Sequence, residues 1–343
     1  MLSIISKYLG YVQRAIPIAA DNAPSLSANP EKWEPIGIGD FLKLEIPPRE
    51  MLLSPVLPES SLSMVYAPRG MGKSLFSMSV GLVVASGGVF LGWSAQKPRR
   101  VLYVDGEMAI VDLKERLAAI SAGLGIEVPN ENFRILAADQ TESGINLSEA
   151  DGQRALEALL DGVDLLILDN LSTLCTTGSE AASDAWIPMQ NWLLGLRRKS
   201  IAVLLVHHAG VNGRQRGTSR REDALDVVMA LKRPPDYSPD EGARFQVHFE
   251  KIRQRVDGFG EPFEARAATV LDDDGNNRLT WLSADLEPSL ESQVAPLIAQ
   301  GHTVREVAVR LNLSKSGVGR LRQKLMAEAA KPAEPESRII GAG

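Results

Sequence analysis

The chain has 343 residues, which is enough for one large domain and a small one. Hydrophobic residues make up 44% and charged residues 23%, a composition that is typical of a folded globular protein and excludes a largely disordered chain. A net charge of -6 excludes a protein coated in basic surface, so contact with nucleic acid would require local basic patches or a channel.

Cysteine usage and apolar segments narrow the class of protein further. Cys175 is the single cysteine, which excludes an internal disulfide and a cysteine-based zinc site and favours a reducing cytoplasm. Lys7 and Arg14 interrupt the apolar N-terminal segment, which argues against a signal peptide. A second apolar run, from Leu75 to Trp93, contains serines and glycines, which favour a buried helix followed by a turn over a membrane span. We therefore expect a cytoplasmic protein that does not enter the membrane.

The predicted elements begin after residues 1–45, which form a polar, proline-bearing tail or linker. After Lys232 apolar and polar residues alternate, which predicts two or three antiparallel strands at one edge of a sheet, including a hairpin in LDDDGNNRLTWL. Upstream of that region, short runs rich in Val, Ile and Leu alternate with helix-like stretches, which predicts a parallel sheet covered on both faces. These runs are Leu62 to Tyr66, Arg100 to Val104, Asp164 to Leu168 and Ile201 to Val206.

A glycine-rich segment, MVYAPRGMGKS, follows the first of these strands and precedes an apolar helix. It matches the phosphate-binding loop Gly-x-x-x-x-Gly-Lys-Ser/Thr except that Ala67 replaces the first glycine, the smallest departure that a side chain can make. Backbone N–H groups of such a loop cradle phosphates, and Lys73 would reach the terminal phosphates while Ser74 ligates Mg2+. The residues expected to bind ATP are Ala67, Pro68, Arg69, Gly70, Met71, Gly72, Lys73 and Ser74.

Acidic residues follow two other predicted strands. Asp169 ends the apolar run in GVDLLILDN, where a carboxylate would hold the Mg2+ water shell, although it could instead cap a helix. Asp105 and Glu107 follow the strand in RVLYVDGEM, and one of them would polarise the attacking water as general base. We favour Glu107 for this role, with an exposed loop acid as the alternative.

Glu107 stands directly after the second core strand. In this feature the sequence resembles the RecA-like ATPase class that includes the hexameric DnaB-type and plasmid RepA-type replicative helicases. The segment IAVLLVHHAG resembles the next core strand of these proteins, which implies that His208 senses the terminal phosphate, whereas His207 could form a hydrogen bond in the core. The resemblance spans roughly residues 45 to 285. It implies a RecA-like P-loop NTPase core, residues 46–285, with a mainly parallel α/β sheet and antiparallel edge strands.

Two arginine-bearing segments extend the resemblance. QRGTSRREDALDVVMALKRP resembles a RepA-type segment that leads into a helix, and FEKIRQRVDGFGEPF resembles the Lys-x-Arg-x-Gly edge hairpin of DnaB-type subunits. Lys251 and Arg253 alternate on this predicted edge strand, so both point to the same face. The resemblance implies that they reach a neighbour's nucleotide in a homo-oligomeric, hexameric ring, with Arg253 as the finger. Arg216 and Arg221 compete for that role, and an ordinary solvated basic face is the alternative.

The C-terminal region predicts a small all-α domain, residues 290–330, after a hinge at residues 283–290 and before a tail at residues 331–343. HTVREVAVRLNLSKSGVGRLRQKL resembles the helix-turn-helix units of transposon and plasmid proteins, and residues 291–331 contain seven Lys or Arg against three Glu. This charge predicts contact with duplex DNA, although packing against protein is the alternative. The basic residues on the recognition helix are Lys315, Arg320, Arg322 and Lys324.

Taken with the resemblance, these motifs predict an ATP-hydrolysing oligomeric motor with ATP and Mg2+ as cofactors. Its expected role is that of a RepA-like replicative helicase, or a translocase on single-stranded DNA, from a plasmid or mobile element. An ATP-regulated DNA-binding regulator without helicase activity is the second interpretation. A small-molecule phosphotransferase is the third, but the sequence contains no lid motif that would support it.

Overall fold

The computed structural model describes residues 34–176, 183–210, 223–253, 259–286 and 290–329. The chain divides into two units, residues 1–49 and residues 50–343. In the described part of the first unit, a short helix, α1, spans Ile38–Phe41.

Strands and helices alternate along most of the second unit, as expected for an α/β fold. Its strands are β1 (Met51–Leu53), β2 (Leu57–Pro58), β3 (Leu62–Ala67), β4 (Val89–Phe90), β5 (Trp93–Ser94), β6 (Val101–Asp105), β7 (Phe133–Ala137), β8 (Leu165–Asp169), β9 (Ala202–His208), β10 (Val227–Lys232), β11 (Arg244–Ile252), β12 (Phe263–Leu271) and β13 (Asn277–Asp285). Its helices are α2 (Lys73–Ser86), α3 (Ile110–Leu124), α4 (Ala150–Glu157), α5 (Leu171–Leu174), α6 (Ser183–Arg198), α7 (Leu290–Ala299), α8 (Val304–Arg310) and α9 (Lys315–Ala329).

Nine strands form one sheet in the order β13-β12-β11-β10-β3-β9-β8-β6-β7. The strands from β10 to β7 are parallel, whereas β11, β12 and β13 are antiparallel. The inner strands β3, β6, β8 and β9 are buried along their whole length, which is why they read as continuous apolar runs. This topology confirms the predicted mixed α/β fold with a mainly parallel sheet and antiparallel strands at one side.

Three expectations from the sequence need correction. The segment QRGTSRREDALDVVMALKRP was expected to lead into a helix, but Val227–Lys232 within it forms β10, because these residues pair with β11 and mostly in parallel with β3 and are mostly buried. The strand that contains Lys251 is not at the edge of the sheet, since β11 lies between β10 and β12. Only residues 244–247 of β11 pair with β12, so its second half pairs with β10 alone. The expected hinge at residues 283–290 begins too early, because β13 continues through Asp285.

The apolar run from Leu75 to Trp93 forms most of α2 and then the β4–β5 hairpin, which confirms a buried helix followed by a turn. Nearly every residue from Phe76 to Ala85 is fully buried, so α2 is enclosed on all sides. Within the described ranges, we find no helix with both the length and the apolar character that a bilayer span requires.

The antiparallel strands cover α2 and α3. Trp281 on β13 donates its indole N–H to the hydroxyl of Ser79 on α2, at 2.9 Å. Arg278 on the same strand donates to the carbonyl oxygen of Ala122 on α3, at 2.8 and 3.1 Å. Side chains of β13 therefore hold the β12–β13 hairpin against both helices. The predicted hairpin in LDDDGNNRLTWL is confirmed, with its turn at residues 272–276.

The C-terminal helices α7, α8 and α9 pack around a small apolar cluster of their own. The helix α8 begins with a capping box, in which the hydroxyl of Thr303 accepts the N–H of Glu306 and the carboxylate of Glu306 accepts the N–H of Thr303. The structure therefore contains the helical region that the sequence predicts near the C-terminus. Its buried residues are Val294, Leu297, Val307, Ala308 and Val318.

Candidate functional site

The glycine-rich segment forms the loop between β3 and α2, and its backbone requires two glycines. Gly70 and Gly72 have φ angles of 73° and 91°, in the left-handed region that favours glycine. A Cβ on Gly72 would also lie 2.8 Å from the Cβ of Ala243. Ala67, by contrast, is the last residue of β3 and is fully buried in the sheet, opposite His208 of β9. An alanine therefore fits where the common pattern has its first glycine.

Lys73, the first residue of α2, lies folded over this loop. Its Nζ donates to the carbonyl oxygens of Ala67, at 3.2 Å, and Pro68, at 3.0 Å. Burial lowers the pKa of Lys73, and the negative charges of Asp169 and Glu107 oppose that shift. Its ammonium group thus lies at the phosphate loop, close to two carboxylates. A bound phosphate could replace the two carbonyl oxygens as its hydrogen-bond partner.

Asp169 ends β8 and lies buried beside the start of α2. Its carboxylate accepts hydrogen bonds from the hydroxyls of Tyr103, at 2.6 Å, and Ser77, at 3.3 Å. Burial raises the pKa of Asp169, while hydrogen bonds from Tyr103, Ser74 and Ser77 and the charge of Lys73 oppose the shift. Since Ser74 and Asp169 meet as hard oxygen donors next to the phosphate loop, this pair suits Mg2+, which completes its coordination with water and phosphate oxygens.

The two acids at the C-terminal end of β6, Asp105 and Glu107, occupy different environments. Asp105 is buried, and its Oδ1 accepts the backbone N–H groups of Glu107, at 3.0 Å, and Met108, at 2.7 Å. Burial raises the pKa of Asp105 to about 6 even though these hydrogen bonds lower it. The side chain of Glu107 is 56% exposed and lines the cleft next to the phosphate loop. Because the Asp105 carboxylate shapes the turn and Glu107 faces the cleft, the geometry favours Glu107 as the base.

The two adjacent histidines at the end of β9 differ in their access to the cleft. His208 ends β9, and its Nε2 lies 3.8 Å from Oε2 of Glu107. His207 is buried next to it on the same strand and does not line the cleft, because successive strand residues point to opposite faces. His208 is therefore the histidine of this pair that faces the cleft, and its predicted role as sensor of the terminal phosphate stays a prediction.

Asn170 is a residue of the site that sequence reasoning missed. It caps α5, because its Oδ1 accepts the N–H of Ser172 at 3.0 Å, and its Nδ2 donates to Oε2 of Glu107 at 2.5 Å. Its side chain is nearly fully buried. The one signal in the sequence is its position directly after Asp169, on a strand next to the one that precedes Glu107.

Lys251 and Arg253 lie far from this cleft. Both donate to the carbonyl oxygen of Asp223, at 3.2 and 2.9 Å, so they share a face, but Arg253 lies just beyond the end of β11. Its Nε also lies 3.3 Å from Oδ1 of buried Asp226, whose Oδ2 accepts the N–H of Leu62. Arg253 therefore sits where β3 begins, about 20 Å along the strand from the phosphate loop. Within its own subunit it cannot reach the phosphates. The competing Arg216 and Arg221 lie outside the described residues.

The cleft that contains these groups has a volume of about 830 Å³, within the range of nucleotide-sized ligand sites. It begins at the phosphate loop, where Lys73, Glu107, Asp169, Asn170 and His208 converge, and it continues toward α3 and the β12–β13 hairpin. Around this one cleft the structure places the ammonium group of Lys73, the candidate Mg2+ ligands Ser74 and Asp169, and the carboxylate of Glu107.

Comparison with known families agrees with this geometry. The model of a family described as AAA domain matches residues 27–214, more than half of the chain. The matched range contains the phosphate loop, Glu107, Asp169 and His208, and it ends before β10. A search of curated proteins gave no match. The family is one of RecA-like P-loop ATPases, which supports nucleotide binding and ATP-driven NTPase activity. On the family match and the site geometry together, the chain belongs to the AAA domain family.

Proposed function

We propose that this protein is an oligomeric, ATP-hydrolysing DNA motor, a RepA-like replicative helicase or single-stranded DNA translocase of a plasmid or mobile element. The observation that carries the proposal is the position of Glu107, which follows β6 and faces the cleft between Lys73 and Asn170, rather than standing beside Asp169 on β8. This is the arrangement for which the sequence resembles the replicative helicases. Residues 46–285 would form the motor domain and residues 290–330 a DNA-binding domain, both in the cytoplasm.

In the proposed reaction the chain positions ATP and activates water. Backbone N–H groups of the phosphate loop and the ammonium of Lys73 bind the phosphates, while Ser74 and Asp169 hold Mg2+. Mg2+ held by Ser74 and Asp169 would offset the negative charge of the phosphates. Glu107 accepts a proton from the attacking water, with Asn170 fixing the orientation of its carboxylate. His208, at the end of β9, would sense the terminal phosphate from its position beside Glu107.

The placement of Arg253 supports the proposal that the protein assembles into oligomers. Because this side chain lies where β3 begins, at the strand end remote from its own phosphate loop, it would serve hydrolysis only in a neighbouring subunit. An arginine supplied in trans typically accelerates phosphoryl transfer by a factor on the order of a thousand or more. The pairing of Arg253 with buried Asp226 would hold the guanidinium in place. We therefore propose a homo-oligomer, with a hexameric ring as the expected form and Lys251 beside the neighbour's nucleotide.

The C-terminal helices supply the proposed contact with duplex DNA. Lys315, Arg320 and Arg322 are exposed on α9, the recognition helix of the proposed helix-turn-helix, and the side chain of Lys324 lies outside the described residues. Their charge suits phosphate contact. The same feature favours the alternative, a regulator whose assembly ATP controls and whose helix-turn-helix finds a DNA site.

One assay separates these interpretations. ATP hydrolysis is measured with no DNA, with single-stranded DNA and with duplex DNA of the same sequence. The motor requires stimulation by single strands, whereas the regulator requires sequence-specific binding to duplex without that stimulation. Hydrolysis that no DNA alters would contradict the motor proposal and leave the phosphotransferase interpretation.

A further inference from the structure

Asp169, one of the two candidate Mg2+ ligands, is a buried acid next to a second buried acid. It is the register partner of Asp105 on the neighbouring strand β6, and both residues are nearly fully buried. A buried carboxylate is costly unless hydrogen bonds and positive charge compensate it. Lys73 supplies positive charge near Asp169. The orientation of the carboxylate then depends on the groups that donate hydrogen bonds to it.

Tyr103 supplies a short hydrogen bond to this carboxylate. Its hydroxyl donates to Oδ2 of Asp169 at 2.6 Å, and the hydroxyl of Ser77 donates to the same oxygen at 3.3 Å. Tyr103 pairs with Ile167, two residues before Asp169, so its hydrogen bond reaches the carboxylate from within the sheet. Asp169 lines the cleft, whereas Tyr103 and Ser77 do not. Tyr103 therefore holds Asp169 from behind the cleft.

Packing fixes the position of the Tyr103 ring. Tyr103 is fully buried, and its ring stacks on that of Phe133 of β7, with centroids 6.2 Å apart and an angle of 26° between the planes. The helix α2 lies close to this face of the sheet, since a Cβ on Gly81 would lie 2.9 Å from the side chains of both Phe133 and Ile167. Because the ring is enclosed in this way, the hydroxyl has a fixed position relative to Asp169.

The hydroxyl of Tyr103 is a polar group in an otherwise apolar part of β6. Residues 101, 102 and 104 are Val, Leu and Val, and a phenylalanine at position 103 would fill nearly the same space without a polar atom. Burying a hydroxyl costs free energy unless it forms hydrogen bonds. Its oxygen lies 3.4 Å from that of Ser77, and its proton is donated to Asp169. The bond to Asp169 therefore gives a physical reason for a tyrosine here.

We propose that Tyr103 is a positioning residue for Mg2+, whose hydroxyl orients the carboxylate of Asp169 for the cation while it touches neither the cation nor the nucleotide. The inference rests on the proposed function, in which Ser74 and Asp169 hold Mg2+. Hydrogen bonds to a ligating carboxylate fix its orientation, and their removal typically lowers metal affinity about tenfold to a hundredfold. Loss of this hydroxyl should therefore raise the Mg2+ requirement of nucleotide binding and leave the affinity without Mg2+ unchanged.

The test uses Tyr103→Phe, which keeps the ring and removes the hydroxyl. The matched control is Tyr66→Phe, because Tyr66 is also buried and its hydroxyl also donates to a carboxylate, that of Glu250, but it packs in a different apolar cluster. The Kd of a non-hydrolysable ATP analogue is measured by calorimetry in EDTA and at a series of free Mg2+ concentrations. Urea unfolding of each full-length protein reports its stability.

Tyr103→Phe should need at least about tenfold more free Mg2+ than the parent for the same gain in affinity, with a Kd in EDTA within about twofold of the parent. Tyr66→Phe should keep the parental Mg2+ requirement, whatever stability it loses. Ser77→Ala removes the longer hydrogen bond to the same oxygen and should raise the Mg2+ requirement by a smaller factor. This variant alone decides the matter if Tyr103→Phe does not fold.

Two outcomes would overturn the inference. One is a parental Mg2+ requirement in both Tyr103→Phe and Ser77→Ala. The other is a loss of affinity in EDTA as large as the loss in Mg2+, because the hydroxyl would then support the fold or the phosphate loop instead of the cation. Failure of the proposed function is seen separately in the parent, which would bind the analogue with no effect of Mg2+ or would not bind it, and the inference would fall with it.

Discussion

Replacing Asn170 should slow hydrolysis without weakening nucleotide binding. Its Nδ2 donates to Oε2 of Glu107 at 2.5 Å, and the buried amide is held in turn by the N–H of Ser172. A hydrogen bond to a charged group contributes about 1.5 to 3 kcal/mol, which corresponds to roughly a tenfold to hundredfold change in rate if it is used to orient the base. Asn170→Ala should therefore lower kcat by at least about tenfold, with little change in the Kd for ATP.

The alanine variant also loses the cap of α5, which costs about 0.5 to 2 kcal/mol of stability. Asn170→Asp separates the two effects, because a carboxylate still accepts the N–H of Ser172 but cannot donate to Glu107 and repels it. We expect kcat to fall in both variants, and the free energy of unfolding to fall clearly in Asn170→Ala. Measured kcat, Kd and urea unfolding curves check this. A parental kcat in both variants would refute the role of Asn170 in positioning Glu107.

Four further predictions concern the site and the C-terminal helices. Lys73→Ala should abolish ATP hydrolysis with an unchanged circular dichroism spectrum, and Glu107→Gln should bind ATP and stall. Burial raises the pKa of Asp105 from 3.8 to about 6, so the folded state binds this proton more tightly and stability falls as pH rises through that window. Asp105→Asn does not titrate, so its stability relative to the parent should increase from pH 4 to pH 7, by at most about 3 kcal/mol in urea unfolding. Replacing both Arg320 and Arg322 by Ala should weaken salt-sensitive duplex binding and leave basal hydrolysis unchanged.

Each of these predictions has an outcome that contradicts it. Parental turnover in Lys73→Ala would remove the phosphate-loop assignment, and parental turnover in Glu107→Gln would transfer the base role to another acid. A stability difference that does not vary with pH would show that Asp105 does not titrate as its burial implies. Duplex affinity that is unchanged at low and moderate salt in the double arginine variant would leave α9 as a packing or protein-docking helix.

The sequence predicts the parts of the fold that local pattern determines. The buried parallel strands appear as apolar runs, and the phosphate loop is recognisable because Gly70, Gly72 and Lys73 occur between a strand and a helix. The segment QRGTSRREDALDVVMALKRP was expected to lead into a helix because it resembles a RepA-type segment, but Val227–Lys232 within it forms a strand. Pairing with β3 decides otherwise, and that partner lies far away in the sequence.

Long-range contacts also explain what sequence reasoning missed in the site. Asn170 and Glu107 are 63 positions apart, and only the parallel pairing of β6 with β8 brings them together. The close contact of Gly123 with Leu279 likewise depends on how the β12–β13 hairpin folds over α3, which no local pattern indicates. The predicted role of Arg253 remains a prediction, because its contacts with Asp223 and Asp226 within its own subunit do not test a role in a neighbouring one.

The most direct test of the proposed oligomeric motor mixes two inactive variants. One variant carries Lys73→Ala and keeps Arg253. The other carries Arg253→Ala with Asp226→Asn, because Asn still accepts the N–H of Leu62 while the buried negative charge that faces Arg253 is removed. Asp226→Asn alone is the matched control and should keep most of the parental activity.

Subunit exchange between the two variants creates junctions at which an intact phosphate loop meets an intact Arg253. The account predicts that ATPase activity, nearly absent in each variant, reappears in the mixture and rises with the fraction of mixed oligomers measured by native mass spectrometry. If mixed oligomers form and the mixture stays as inactive as its components, Arg253 does not complete the site of a neighbouring subunit.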